Sequence, residues 1–261
     1  MEAETLGPRR RTKIVATLGP ATDGPDVLES LIRAGADVLR FNFSHGAAED
    51  QRERVEQVRA IASKLGRYVG IMGDLQGPKI RIESFKEGSV ILEPGQAFLL
   101  DTALGSDDGD ETRVGVAYPN LIEDVGPGDV LLLDDGQIVL EVEGLGESQI
   151  RCRVTEGGVL TDHKGLNKQG GGLSAPALTD KDRMDIRAAA ELQMDFVSVS
   201  FARSASDITE ARELLRAAGG QGHIVAKIER AEAVENIAEI IDASDVIMVA
   251  RGDLAVEALI T

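Results

Sequence analysis

The feature that most constrains the fold is a repeated alternation of a buried strand with an amphipathic helix. Apolar runs typical of strands lie at 13–19, 38–44, 69–75, 196–201, 223–229 and 245–250. Patterns typical of helices lie between them, at 25–34, 48–65, 180–193, 204–218 and 231–241. Such a βα repeat predicts a parallel sheet covered by helices, either doubly wound or closed into a barrel.

The alternation is interrupted once, over residues 80–172. This stretch holds short alternating strands and turn signals, and Asp135-Gly136 predicts a type I′ hairpin turn. It ends at Gly170-Gly171-Gly172, which predicts a hinge. We therefore expect three segments: 1–79, the first part of a barrel domain; 80–172, an inserted all-β domain; and 173–261, the second part of the barrel domain.

Composition excludes several classes of function. A net charge of −17 argues against nucleic-acid binding, which needs clusters of Lys and Arg. The one cysteine, Cys152, lies in an alternating strand pattern and is expected to be a small buried apolar residue. A single cysteine allows no intrachain disulfide, as in a reducing cytosol. No apolar run approaches the ~18 residues of a membrane span. These observations predict a cytoplasmic protein without a membrane segment.

Charged and polar side chains gather where the predicted strands end. In a βα barrel the carboxyl ends of the strands carry the active site. Glu229 and Asp253 are hard oxygen ligands that suit Mg²⁺. Arg40, Arg81 and Lys227 are cations that suit phosphate and developing negative charge. This chemistry favours a closed barrel and predicts an Mg²⁺-dependent enzyme that handles phosphorylated substrates.

Simpler interpretations stay open for each of these residues. A single charge at a strand end is most often a solvated cap, and Asp74 could merely begin a turn before Gly77. Lys227 could pair with Glu229 for structural reasons alone. The histidines at 45, 163 and 223 lack zinc-ligand spacing, and no Ser-His-Asp or Cys-His set is evident.

Six sequence strings together resemble the pyruvate kinase family, in the order that the family has them. They are RRTKIVATLGPAT (10–22), RFNFSHG (40–46), GDLQGPKIR (73–81), KGLNKQGGGLSAPALTDKD (164–182), VAKIERAEAVENI (225–237) and IMVARGDL (247–254). The resemblance implies an α/β fold, a (β/α)8 TIM-type barrel of which about six βα units are present here. It also implies an inserted small all-β barrel domain that acts as a lid.

The same resemblance implies phosphoryl transfer between phosphoenolpyruvate and ADP, giving pyruvate and ATP. Arg40 and Lys227 would be catalytic and would bind the substrate together with Gly252 and Asp253. Glu229 and Asp253 would bind Mg²⁺ or Mn²⁺. The nucleotide-binding residues would be Asn42, His45, Arg81 and Lys164.

The resemblance also implies a site for a monovalent cation, formed by Asn42, Ser44, Asp74 and the carbonyl of Leu75. Potassium-dependent members of the family carry a glutamate where this chain has Lys79. Lys79 resembles the subgroup in which a lysine ammonium replaces K⁺. We therefore expect weak or absent dependence on K⁺.

The family's last two barrel strands and its C-terminal domain have no counterpart in these 261 residues. We expect the chain alone to be unstable or poorly active, and the full-length form to be a homotetramer. Two alternatives remain: a fragment that binds metal or nucleotide without turnover, and another phosphoenolpyruvate- or pyruvate-handling barrel such as a metal-dependent aldolase. The all-β insertion argues against the aldolase.

Overall fold

A computed structural model describes residues 10–44 and 48–257. The chain divides into two compact units. The first comprises Met1–Gln76, Asp180–Ser198 and Glu210–Val225, and the second comprises Gly77–Thr179, Val199–Thr209 and Ala226–Thr261.

The strands of the described residues are numbered in chain order. They are β1 (Val15–Thr17), β2 (Val38–Asn42), β3 (Gly70–Asp74), β4 (Ser89–Leu92), β5 (Ala97–Asp101), β6 (Arg113–Gly115), β7 (Val130–Leu133), β8 (Ile138–Leu145), β9 (Gln149–Glu156), β10 (Gly158–Thr161), β11 (Leu166–Lys168), β12 (Phe196–Val199), β13 (His223–Ile228) and β14 (Val246–Val249). The helices are α1 (Pro25–Ala34), α2 (Ala48–Lys64), α3 (Leu121–Asp124), α4 (Asp180–Glu191), α5 (Ala205–Ala217), α6 (Ala231–Glu235), α7 (Ile237–Ala243) and α8 (Arg251–Glu257).

The predicted alternation of strands and helices is confirmed, and so is the α/β fold class. Strands β1, β2, β3, β12, β13 and β14 are neighbours in that order in one sheet. The pairs β1–β2, β2–β3 and β3–β12 are parallel. Because neighbouring parallel strands run the same way, the carboxyl ends of β1, β2, β3 and β12 lie at one edge of the sheet.

Alternate side chains of β2 lie on opposite faces of the sheet. Leu39 and Phe41 are almost fully buried in the apolar core. Arg40 and Asn42 point to the other face and stay partly exposed. In the sheet register Arg40 lies opposite Thr17 of β1, and Asn42 lies opposite Asp74 of β3. The period of two therefore places polar side chains of neighbouring strands side by side.

Two details of the βα segments differ from the sequence-based predictions. The helix expected over 231–241 is broken into α6 and α7 at Asn236, whose backbone is not helical and whose side-chain amide donates to the carbonyl of Arg203 at 2.9 Å. No helix was expected after Leu254, but α8 covers Arg251–Glu257. Arg251 and Asp253 were expected to extend a strand, and they lie instead in the first turn of this helix.

Residues 80–172 form β4–β11 and the short helix α3. Six strands make one sheet in the order β11-β7-β8-β9-β5-β6, and β10 pairs with β4. The sheet encloses an aliphatic core that includes Cys152, which is buried as expected. The domain boundaries at 79/80 and 172/173 stay a prediction.

The hairpin between β7 and β8 differs from the expected two-residue turn. Leu133 pairs with Ile138, so four residues form the loop. Asp134, Asp135 and Gly136 all have positive φ angles, of 49°, 55° and 87°. Asp and Gly are among the residues that tolerate this left-handed backbone best, which explains why the sequence signal was recognisable although the loop is longer.

Among the residues that the structure describes, no helix is long and apolar enough to cross a membrane.

Candidate functional site

In the first unit, Arg40 binds Asp74 across the β2–β3 pair. Its Nε donates to Asp74 Oδ2 at 2.7 Å, and its Nη2 donates to the same oxygen. Nη1 donates to Thr17 Oγ1 at 2.9 Å. Asp74 is buried, whereas a quarter of the Arg40 side chain stays exposed. The guanidinium is thus held by two neighbouring strands with part of its surface open to a further anion.

The other predicted residues of this unit lie close in the chain to the Arg40–Asp74 pair. The side-chain oxygen of Asn42 accepts the backbone N–H of Ser44 at 3.0 Å, so local hydrogen bonding shapes the end of β2. Leu75 is buried, and its N–H donates to Ser198 at 3.0 Å. His45 lies outside the described residues. The cation site proposed for these residues stays a prediction.

In the second unit, Lys227 and Glu229 form a buried ion pair at the carboxyl end of β13. Lys227 Nζ lies 2.8 Å from Glu229 Oε1. It also donates to Ser200 Oγ at 2.8 Å. Glu229 Oε2 accepts the backbone N–H of Phe201 at 2.8 Å. The sequence predicted that Lys227 and Glu229 project together, and the structure pairs them directly.

Burial raises the pKa of the Glu229 carboxyl, and the charge of Lys227 opposes this rise. The negative charge of Asp253 raises the pKa of Glu229 further. A buried carboxylate within electrostatic reach of a second, partly exposed one favours a positive partner near both. A divalent cation bound to both carboxylates would offset the repulsion between their negative charges.

Ser200 and Phe201 were missed by the sequence analysis. They directly follow β12, and their uncharged side chains give no sign of a site at the end of this strand. Phe201 has a left-handed backbone, with φ of 55°, which is rare for an aromatic residue and turns its N–H towards Glu229. A side chain at Gly77 would lie 2.8 Å from the Phe201 ring and 2.9 Å from Ser200 Cβ. Gly77 therefore permits the close approach that fixes both residues.

Lys79 and Asp253 come together in the second unit. Lys79 Nζ lies 3.4 Å from Asp253 Oδ1, and both side chains are partly exposed. They line a cavity of about 670 Å³ with Gly252 and Asp135. A side chain at Gly252 would meet no atom within 4 Å, so the main chain there faces open space. The cavity is large enough for a small anionic ligand.

Arg81 and Lys164 lie at the base of the all-β segment. Arg81 is bridged to Gly165, and its Nη1 donates to the carbonyl of His163 at 2.8 Å. Lys164 Nζ forms an ion pair with Asp134 at 2.7 Å. Both cations stay partly solvent-accessible. The structure therefore brings the two predicted nucleotide-binding cations to one region of the second unit.

The predicted residues thus form two sets. Arg40, Asn42, Ser44, Asp74 and Leu75 belong to the first unit, and Lys79, Arg81, Lys164, Lys227, Glu229, Gly252 and Asp253 belong to the second. Convergence of the two sets on one substrate stays a prediction. Within 10–44 and 48–257, no group of three or more His, Cys, Asp or Glu side chains could hold a metal ion by itself.

The parallel βα sheet, with paired charges at the strand ends, defines an α/β protein with a polar site at the carboxyl edge of its sheet. Residues 9–260 match the family model described as pyruvate kinase, barrel domain. The chain belongs to the pyruvate kinase family.

Similar proteins agree with this assignment. The chain is 57% identical to pyruvate kinase II of Salmonella typhimurium, 54% identical to a pyruvate kinase of Haemophilus influenzae and 41% identical to one of Mycobacterium tuberculosis. Each match covers 95% of this chain and 52% of the relative. The chain therefore spans about half the length of the curated relatives that it matches.

Proposed function

We propose that this chain carries the phosphate-binding and metal-binding part of a pyruvate kinase site, which transfers a phosphoryl group from phosphoenolpyruvate to ADP. The observation that carries the proposal is the buried Lys227–Glu229 pair, with the charge of Asp253 acting on the same carboxyl group. Phosphoryl transfer depends mainly on positioning and on stabilisation of negative charge, and a buried ammonium beside two carboxylates suits both.

Glu229 and Asp253 would hold Mg²⁺ or Mn²⁺, with the remaining ligands from water and substrate. The donor set fits, because these cations prefer carboxylate oxygens and commonly keep several waters. The bound ion would neutralise charge on the transferred phosphoryl group. Lys227 would stabilise the same charge and that of the enolate, and Gly252 and Asp253 would hold the substrate carboxylate through their backbone N–H groups.

Arg40 would bind the substrate phosphate through the part of its guanidinium that is still exposed. Arg81 and Lys164 would bind the nucleotide phosphates, with Asn42 and His45 nearby. For Lys164 this requires exchange of its partner Asp134 for a phosphate oxygen. Such an exchange costs little free energy, because partly exposed ion pairs contribute only ~0–1 kcal/mol to stability.

The monovalent site is proposed with Lys79 in place of K⁺. Asn42, Ser44, Asp74 and Leu75 would otherwise form the K⁺ site. In this structure the ammonium of Lys79 lies 3.4 Å from Asp253, which is not a residue of this site, so the proposal rests on the resemblance alone. Assembly of the full-length protein as a homotetramer remains an expectation of the same kind.

The test is a coupled assay of pyruvate formation from phosphoenolpyruvate, ADP and Mg²⁺, with Lys227→Met compared to Lys86→Met. Lys86 is an exposed lysine of the same unit, so its variant controls for the loss of a charge. We expect Lys227→Met to lower turnover at least ~100-fold and Lys86→Met to leave it unchanged. Equal turnover in both variants would contradict the proposal.

A second candidate rests on the two carboxylates of Glu229 and Asp253, which suit a divalent cation whether or not a phosphoryl group is transferred. In it, the chain binds metal and nucleotide without turnover. The same preparations are titrated with Mn²⁺ and followed by electron paramagnetic resonance. Mn²⁺ binding that Glu229→Gln and Asp253→Asn abolish, without pyruvate formation, supports this second function. The absence of both Mn²⁺ binding and pyruvate formation would exclude both functions.

A further inference from the structure

The glycine segment Gly170–Gly172 is held by two glutamates from outside it. All three residues have positive φ angles, of 79°, 79° and 90°. The N–H of Gly172 donates to Glu232 Oε1 at 2.7 Å, and the N–H of Gly170 donates to the carbonyl of Glu257 at 3.0 Å. A segment that looks flexible by sequence is thus anchored at both ends in this structure.

The anchoring groups converge on Arg230, which is only 3% exposed. Its Nη2 donates to the carbonyl of Leu173 at 3.2 Å and to Glu232 Oε1 at 3.0 Å. Its Nε lies 3.6 Å from Glu257 Oε2. The opposite oxygen of Glu257 accepts Asn167 Nδ2 at 3.1 Å. One guanidinium therefore links the glycine segment to α6 and α8.

Burying this cluster of charged side chains costs more free energy than burying apolar side chains in the same space. Glu257 is 2% exposed, and buried ion pairs of this kind can often be replaced by apolar groups without loss of stability. Arg230 Nε, Glu232 Oε2 and Glu257 Oε2 lack a hydrogen bond within the cluster. Because the contacts are incomplete, stability alone does not explain why charges occupy this place.

Position in the chain supplies an explanation. Arg230 directly follows Glu229, and Asn167 lies in β11, three residues before the glycine segment. Arg230 therefore shares a peptide bond with the proposed metal ligand Glu229. Its guanidinium binds Leu173, which directly follows the segment, and reaches Gly170 and Gly172 through Glu257 and Glu232.

We propose that Arg230 is a positioning residue that fastens the glycine segment Gly170–Gly172 to the strand end carrying Glu229. The fastening itself does not depend on the function proposed above; only its coupling to metal binding does. Glu232 and Glu257 complete it, because each forms an ion pair with Arg230 and each accepts an N–H of the segment, Glu232 through its side chain and Glu257 through its backbone carbonyl.

The test measures amide hydrogen exchange at Gly170 and Gly172 by NMR in Arg230→Met and in Arg230→Met/Glu257→Leu. The double variant removes the two most deeply buried charges together and leaves only Glu232, whose side chain is partly exposed, without its arginine partner. We expect exchange at both glycines to rise at least 10-fold in each variant, with Val142 in β8 unchanged. Arg153→Met, which removes a half-exposed arginine of the same unit, is the control and should change neither glycine.

Two results would overturn the proposal. One is wild-type protection of both glycines in a folded double variant. The other is a rise that is equal at Val142 and at the glycines, since that reports general loss of stability and not release of one segment.

A titration with Mg²⁺ separates this proposal from the proposed function. Coupling predicts that Mg²⁺ slows exchange at Gly172 in the wild type and has no effect on Gly172 in Arg230→Met. If Mg²⁺ has no effect on the wild type while the variants still release the glycines, the fastening stands and its coupling to metal binding is refuted; Mn²⁺ binding followed by electron paramagnetic resonance tests the metal site itself.

Discussion

The ammonium of Lys79 lies 3.4 Å from a carboxylate oxygen of Asp253. One proposed ligand of a divalent cation is thus already paired with a fixed positive charge. If Asp253 is a ligand as proposed, Lys79 would lower the affinity of that site for a divalent cation, because its own positive charge already lies beside the carboxylate.

Replacement of Lys79 by Met is expected to tighten Mn²⁺ binding ~3- to 10-fold. Two positive charges that share a partly exposed carboxylate repel each other by roughly 1 kcal/mol at the high effective dielectric of such a site. Electron paramagnetic resonance of free Mn²⁺ measures the change, and Lys86→Met is the matched control. Weaker binding in Lys79→Met would mean that the lysine organises the site and does not compete for it.

Ser200→Ala is expected to lower the free energy of unfolding by about 1–3 kcal/mol. The substitution removes the hydroxyl that accepts a hydrogen bond from the buried Lys227 ammonium, and buried donors are costly when unsatisfied. Urea denaturation followed by circular dichroism measures the effect. The exposed Ser206, whose hydroxyl forms a hydrogen bond with that of Ser204, provides the control Ser206→Ala, expected within about 0.5 kcal/mol of the wild type.

Glu229→Gln is expected to gain stability relative to the wild type as the pH rises. The folded pKa of Glu229 lies above its ordinary value of 4.5, because of burial. The unfolded chain therefore releases this proton first, and the stability that protonated Glu229 provides is complete below pH 4.5 and lost as the pH rises through the folded pKa. Glutamine does not titrate. The unfolding free energy of Glu229→Gln should therefore increase relative to that of the wild type as the pH rises above 4.5. Urea denaturation at a series of pH values checks this, and a difference independent of pH would contradict it.

The thiol of Cys152 is expected to be inert in the native protein. Burial raises its pKa to about 12. At pH 8 the reactive thiolate is then a fraction of only about one in ten thousand, and the side chain is also shielded from reagents. Labelling with a chromogenic disulfide should therefore proceed only in denaturant, which makes the reaction a measure of opening of the all-β core. Rapid labelling of the native chain would show that β9 opens readily.

Gly73→Ala is expected to destabilise the first unit by about 1–3 kcal/mol. A methyl group there would lie 2.6 Å from the Phe43 ring and 2.7 Å from Met194 Sδ, and overpacking of a core costs this amount. Gly19→Ala is the matched control, because a methyl group at Gly19 meets no atom within 4 Å and its backbone is extended. Comparison of urea midpoints tests the pair, and equal midpoints would mean that Phe43 and Met194 move aside easily.

The order of strands and helices could be predicted from the local pattern of apolar residues. The βα alternation gave the sheet and its polar edge, because a buried parallel strand is marked by a continuous apolar run and a helix by its period. The i, i+2 spacing of Lys227 and Glu229 was enough to predict that they project together, and their contact confirms it.

Other features escaped because their causes are not local. The break at Asn236 depends on a carbonyl that lies 33 residues earlier in the chain. Ser200 and Phe201 carry no charge, and their roles arise only from the partners that β13 brings to them. The Arg230 cluster likewise joins residues of three separate segments, and the glycine run that it holds gave only a signal of flexibility.

The left-handed turn at Phe201 makes one donor of the site unusually resistant to mutation. The group that faces Glu229 is a backbone N–H, which every amino acid but proline provides. A substitution at this position can alter packing, yet any residue other than proline keeps that backbone donor. A residue that tolerates the left-handed backbone at position 201 therefore keeps this donor, whereas the hydrogen bond at Ser200 disappears with its hydroxyl.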